Sequence, residues 1–177
     1  MKMLRRCLIS LLLGGLYVSS VIAAETAVTR SDSQHAGELK TAPDFLLSDL
    51  EGHSKSLNSY PGQWLLLHFW STLCEPCREE LPALSTLREK FKDQGLVVIA
   101  IAEDSKQAVV PFMKSSGLTL PVLIDQYGSA LRAYQIKGLP TSYLINRTRQ
   151  IEEIIEGPKD WKSPTVVHAL EKTLSRR

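Results

Sequence analysis

Trp64-Leu65-Leu66-Leu67-His68-Phe69-Trp70-Ser71-Thr72-Leu73-Cys74-Glu75-Pro76-Cys77 sets an apolar run, interrupted by one histidine, directly before a closely spaced cysteine pair. The run predicts a buried strand. From Arg78 to Lys92 the pattern changes, with Leu81, Leu84, Leu87 and Phe91 recurring at helical intervals. The pair therefore falls where a strand ends and a helix begins. A helix N-terminus offers unpaired N–H groups and a partial positive charge, and both favour a nearby thiolate over its thiol. Cys74 reads as the exposed attacking sulfur and Cys77 as the one that resolves.

A structural dithiol or half of a metal site is the competing reading. Zinc wants about four ligands, usually from a second cysteine pair or paired histidines. His35, His53, His68 and His168 are scattered without ligand spacing, so no metal is expected. The third cysteine, Cys7, precedes the apolar N-terminal stretch and reads as part of a targeting segment without chemistry.

That segment begins with Lys2, Arg5 and Arg6, and Cys7 to Ala24 is nearly all apolar or small. Residues 1–24 are expected to be a signal peptide or a single N-terminal membrane anchor; length alone does not separate the two. Either places the domain at the extracytoplasmic face of a bacterial inner membrane or in the periplasm, where a disulfide can persist. Removing Lys2, Arg5 and Arg6 from the 21 basic residues leaves 18 against 19 acidic ones, a net charge of −1. No nucleic acid or other polyanion is expected as a partner. Residues 25–41 have little apolar content and read as a flexible tether. Residues 42–177 are one domain's worth of chain.

Around the central stretch, Asp49-Leu50-Glu51-Gly52 reads as the turn of an N-terminal hairpin flanked by Pro43-Asp44-Phe45 and Ser54-Lys55-Ser56-Leu57. Val97 to Ile101 predicts a second core strand. A helix from Ser105 to about Ser115 follows, capped by Ser105, stopped by Gly117 and open to a kink at Pro111. Pro121 to Ile124 reads as a short strand and Ser129 to Tyr134 as a short helix. Thr141 to Ile145 and Ile151 to Ile155 read as strands joined by a polar turn, and a helix from Ser163 or Thr165 to Leu174 closes the chain. Strands alternating with helices predict an α/β fold, a central mixed sheet covered on both faces, with an N-terminal hairpin and an inserted helix-strand unit.

Cys74-Glu75-Pro76-Cys77 at a helix start resembles the thioredoxin-like fold. Phe69 to Pro82, Ala42-Pro43-Asp44-Phe45 and Gly138-Leu139-Pro140-Thr141-Ser142-Tyr143-Leu144-Ile145 resemble, more narrowly, the TlpA/ResA group of exported, often membrane-tethered thiol-disulfide oxidoreductases. The resemblance covers about residues 42 to 175. It implies a redox-active Cys74–Cys77 disulfide with no other cofactor, and a cis Pro140 set against the cysteines. It further implies a functional glutamate at Glu80, a helix bent at Pro82, electrons received through a membrane donor, and disulfides of envelope proteins, such as apocytochrome c, as substrates. The chain departs from the group at Leu73, usually tryptophan, and at His68, often asparagine.

Reduction of a disulfide passes through thiolate attack, a mixed disulfide and release by the second cysteine. The second step needs Cys77 to lose its proton, so an acid or base near it has work to do. Glu80, three residues on, shares a helix face with Cys77, although an acid in the first turns is also favoured by the dipole alone. His68 is read as a core histidine or as a proton relay to Cys77. Leu73 and the backbone of Leu139 are expected to meet the substrate, while Pro76 and Pro82 set geometry. Glu75 beside Cys74 disfavours its thiolate, which argues against a strong oxidase. Two other chemistries fit less well. Peroxidases with the same Ala-Pro-Asp-Phe opening want proline and threonine where Leu67 and Ser71 stand, and copper carriers of related fold use a wider cysteine spacing and a distal histidine.

Overall fold

The structure, a computed structural model, describes residues 41–176. The expected segment 1–24 with Cys7, and the tether up to residue 40 with His35, lie outside the described residues. Seven strands form a single mixed sheet: β1 (Leu47–Asp49), β2 (Ser54–Lys55), β3 (Trp64–Trp70), β4 (Leu96–Ala102), β5 (Val122–Ile124), β6 (Thr141–Ile145) and β7 (Ile151–Glu156). Their spatial order is β2-β1-β5-β4-β3-β6-β7. Four α-helices accompany them: α1 (Glu75–Phe91), α2 (Lys106–Ser116), α3 (Ser129–Ala133) and α4 (Pro164–Leu174).

β3, β4 and β5 are parallel, and their unbroken apolar sequences follow from having both faces covered. Alternate residues divide between two cores. Trp64, Leu66, Trp70, Val98 and Ala100 pack with the buried faces of α1, α2 and α4. Leu65, Leu67, Phe69, Ile99 and Ile101 pack with α3, Tyr134 and the segment carrying Ala42, Phe45 and Leu57. One rung of the sheet joins Trp70, Ala102, Ile124 and Ser48 across β3, β4, β5 and β1, which fixes where the loops at that end emerge.

The expected architecture is present, with shifted edges. α1 begins at Glu75, within the cysteine pair as expected, because Cys74 itself caps the helix and Pro76 is tolerated in the first turn, where its missing N–H has no intrahelical partner to lose. The helix runs on through Pro82, and α2 through Pro111. The hairpin's first strand is Leu47–Asp49, not Pro43 to Phe45. Asp44 serves a different purpose there: its Oδ1 accepts the N–H groups of Phe45 and Leu57, both at 2.9 Å, and fastens this segment to the domain. Thr41, read as the end of the tether, bridges to Gln150, and Ala42 N–H donates to Arg149 C=O at 2.8 Å.

Candidate active site

At the end of β3 the C=O of Trp70 accepts from Glu103 N–H at 2.9 Å, so the chain leaves the sheet in a fixed direction. The next turn is held from two sides. Asp104 Oδ2 accepts from Thr72 N–H at 2.6 Å, and Ser71 Oγ accepts from Leu73 N–H at 3.2 Å. Leu73 is left 90 % exposed immediately before the cysteines. Cys74 is the N-cap of α1, its Sγ accepting the N–H of Cys77 at 3.3 Å. That donor, together with the helix N-terminus, favours a thiolate on Cys74 once the disulfide is opened. The two sulfurs are joined in a disulfide, with Cys74 half-buried and Cys77 sealed in the core. Of the two sulfur-bearing side chains, that of Cys74, the expected attacker, is the one open to solvent.

Glu80 lies one turn beyond Cys77 on the buried face of α1 and is 7 % exposed. Its carboxylate is held by two donors from the loop after β7. Oε1 accepts from Lys159 N–H at 2.7 Å, and Oε2 accepts from the indole Nε1–H of Trp161 at 2.6 Å. Burial pushes the Glu80 carboxyl above its ordinary value, while the two donors pull the other way. The same loop is anchored at its start, where Gly157 N–H donates to the C=O of Pro140 at 2.9 Å. Gly157 has φ +79°, a conformation that glycine adopts without a side-chain clash.

His68 sits in β3, and Ser142 stands opposite it in β6. Both are buried, with His68 Nδ1 2.9 Å from Ser142 Oγ and 3.8 Å from Glu80 Oε2, while Nε2 has no partner among the described residues. Burial drives the His68 imidazole down to about 3, so it is neutral near pH 7 and its approach to Glu80 is not an ion pair. His68, Ser142, Glu80 and Trp161 thereby form one polar cluster within the core that also contains Cys77.

The Leu139–Pro140 bond is cis, as the family resemblance implied. Pro140 is buried, and Leu139 and Cys74 pack against the same hydrophobic cluster. Neither the N–H nor the C=O of Leu139 has a hydrogen-bond partner among the described residues.

Lys159, Trp161, Ser142 and Asp104 escaped the sequence reading. Trp161 carried a signal, since a tryptophan in the polar stretch Gly157 to Ser163 buries an indole whose N–H must find an acceptor. Ser142 becomes visible only once the β3–β6 register is known. Among the described residues, Asp49, Glu51 and His53 do come together, with ligand atoms within 4.8 Å. They close the β1–β2 turn: Asp49 Oδ1 accepts the N–H of Glu51 at 3.0 Å and of His53 at 2.8 Å.

Residues 39–154 match the model of the AhpC/TSA family. Thiol-disulfide oxidoreductase ResA of Geobacillus kaustophilus is 40 % identical over 118 residues, 66 % of this chain and 68 % of that protein. Its namesake in Bacillus thuringiensis subsp. konkukian is 36 % identical over 130 residues, 73 % of this chain and 74 % of that one. Among solved structures, a thiol:disulfide interchange protein of the thioredoxin family from Chlorobium tepidum superposes with a TM-score of 0.67 at 25 % identity, covering 77 % of this chain and 97 % of its own.

Proposed function

Because the chain belongs to the AhpC/TSA family, as a thiol-disulfide oxidoreductase of the ResA kind, we propose that it works outside the cytoplasm as a reductant of protein disulfides. The observation that carries this reading is the asymmetric pair: an accessible Cys74 capping α1 and a sealed Cys77 backed by a buried carboxyl. In the reduced protein the Cys74 thiolate attacks a substrate disulfide, forming a Cys74–substrate S–S bond and releasing the first substrate thiolate. Cys77 then loses its proton and attacks Cys74 Sγ, which reforms the Cys74–Cys77 disulfide and releases the second substrate thiolate. Two electrons pass from the dithiol to the substrate. A donor dithiol, reached through a membrane carrier, restores the reduced state. Envelope proteins that must be reduced before haem attachment, apocytochrome c among them, are the substrates this reading favours.

The unpaired N–H and C=O of Leu139 support pairing with an extended substrate strand beside Cys74. We assign proton exchange with Cys77 to Glu80 rather than to His68, because the imidazole is a weak base when buried and Glu80 has its affinity for protons raised. Glu80→Gln is expected to shift the pH dependence with which Cys77 releases the mixed disulfide on Cys74 and to slow that release by about tenfold or more. An unshifted profile with parental release would take Glu80 out of the chemistry.

The direction of electron flow is tested by equilibrating the Cys74/Cys77 pair with glutathione or dithiothreitol buffers. A reductant is expected to lie near or below the thioredoxin value of about −270 mV, whereas a value above about −150 mV would make the protein a disulfide former.

A further inference from the structure

Among the described residues three large apolar side chains stand out in water: Leu46 at 76 % exposure, Leu73 at 90 % and Tyr127 at 80 %. Scattered singly they would need no explanation. Strand register shows that they are not scattered. From the rung Trp70–Ala102–Ile124–Ser48, stepping outward at the end where Cys74 emerges leads to Thr72, Asp104, Gln126 and Leu46, with Leu73 and Tyr127 one residue further. All three apolar side chains therefore belong to one rim of the sheet.

The loops along this rim adjoin one another. Asp104 holds Thr72 N–H at 2.6 Å, and a Cβ placed on Gly128, next to Tyr127, would stand 3.7 Å from Glu103 Oε1. Leu46 and Tyr127 flank a groove of about 430 Å³, lined also by Lys106 and Gln126. Neighbouring strands lie ~4.8 Å apart, so the groove sits about 10 to 15 Å from the strand that delivers Cys74.

We propose that this rim is a docking strip for the polypeptide bearing the substrate disulfide, and that the groove between Leu46 and Tyr127 receives one of its aliphatic or aromatic side chains. The occupant follows from continuity: a substrate sulfur must reach Cys74 beside Leu73, so every productive encounter already covers one end of the strip. An extended chain advances ~3.4 Å per residue, which places the anchoring side chain about three to four residues from the cysteine under attack. Exposed Glu103 follows β4, between the ends of β3 and β5, and favours a basic residue in the intervening stretch. The proposal deepens, and rests on, the reading of the protein as acting on protein disulfides.

The test uses two synthetic peptides whose single cysteine is in a mixed disulfide with 5-thio-2-nitrobenzoate. One carries leucine four residues from the cysteine on both sides and the other serine. Attack by the Cys74 thiolate forms the Cys74–peptide S–S bond, breaks the peptide–nitrobenzoate bond and expels the coloured thiolate. Cys77 then displaces the peptide thiolate. Single-turnover rates are taken with protein reduced beforehand by dithiothreitol, and each is divided by the same protein's rate with Ellman's reagent. The leucine peptide is expected to react about tenfold faster than the serine peptide, and the preference to collapse toward unity in the Leu46→Ser/Tyr127→Ser double variant. Equal rates for the two peptides in the parent protein, or a preference that survives in the double variant, would overturn the strip. Because the attack is read from protein already reduced, the result does not depend on the potential. An oxidising pair with a leucine preference keeps the strip and loses the reductase reading, and a reducing pair without the preference does the opposite.

Discussion

Cys77→Ala is expected to abolish turnover while leaving the first attack in place, so that a disulfide substrate accumulates as a one-to-one adduct on Cys74. The geometry separates the two steps. Cys74 is half-buried at the head of α1 and receives the N–H of Cys77, a backbone donor that the substitution preserves. Only the sealed sulfur, which closes the Cys74–Cys77 bond, is removed. With protein reduced beforehand and freed of dithiothreitol, release of the substrate from Cys74 in a single turnover should fall by about a thousandfold or more, since no second thiol remains in the site. Intact-mass measurement should then find protein plus one substrate chain, cleaved by excess reductant. Release at a tenth of the parental rate would mean that Cys77 does not resolve the adduct, and the absence of any adduct on Cys74 would mean that Cys74 does not lead the reaction. Loss of one buried sulfur costs a small cavity, about 1 kcal/mol, so the fold should persist.

Acidification should unfold the protein along a steeper limb than its carboxylates alone dictate, and His68→Asn should flatten that limb. His68 is fully buried and its imidazole is depressed from 6.5 to about 3. Above pH 6.5 it is neutral in both folded and unfolded chains, and its contribution to stability is fully present. Below that the unfolded chain gains a proton that the folded one refuses, and stability is lost as pH falls toward 3. The slope is about 1.4 kcal/mol per pH unit for one proton, which sums to at most about 5 kcal/mol over the window. Glu80, the charged group nearest the ring at 3.8 Å, works with the opposite sign: its raised carboxyl makes stability fall as pH rises above its ordinary 4.5. It is present in both proteins, as are the remaining carboxylates, so the difference between parent and variant reports His68. Asparagine keeps a polar group facing Ser142. Urea unfolding at pH 7, 5 and 4 should show the parent losing stability faster than His68→Asn; parallel lines would mean that the imidazole takes up its proton without leaving the core.

Much of the site was legible because its chemistry is local. Cys74, Cys77 and Glu80 lie on a single helix start, where spacing alone puts the last two on a common face. The two core strands announced themselves as continuous apolar runs, and Gly117 and Ser105 marked the ends of α2. What stayed hidden is what the sheet brings together. Ser142 faces His68 from 74 residues away, and Lys159 and Trp161 reach Glu80 across 79 and 81 residues. Such partners depend on strand register and loop path, which local periodicity does not carry. The hairpin's first strand is hidden for a related reason: Pro43-Asp44-Phe45 reads as its flank, yet Asp44 spends its side chain on Phe45 and Leu57, and pairing starts only at Leu47.

The loop from Gly157 to Trp161 has a consequence for the order in which the molecule matures. Both hydrogen bonds that seat Glu80 come from residues 79 and 81 positions beyond it, in the loop that Gly157 fastens to Pro140, so during synthesis both cysteines precede those donors. A growing polypeptide, or one cut back before Lys159, has its dithiol without the buried acid behind it. The seating of Glu80 thus waits on chain that is made long after both cysteines.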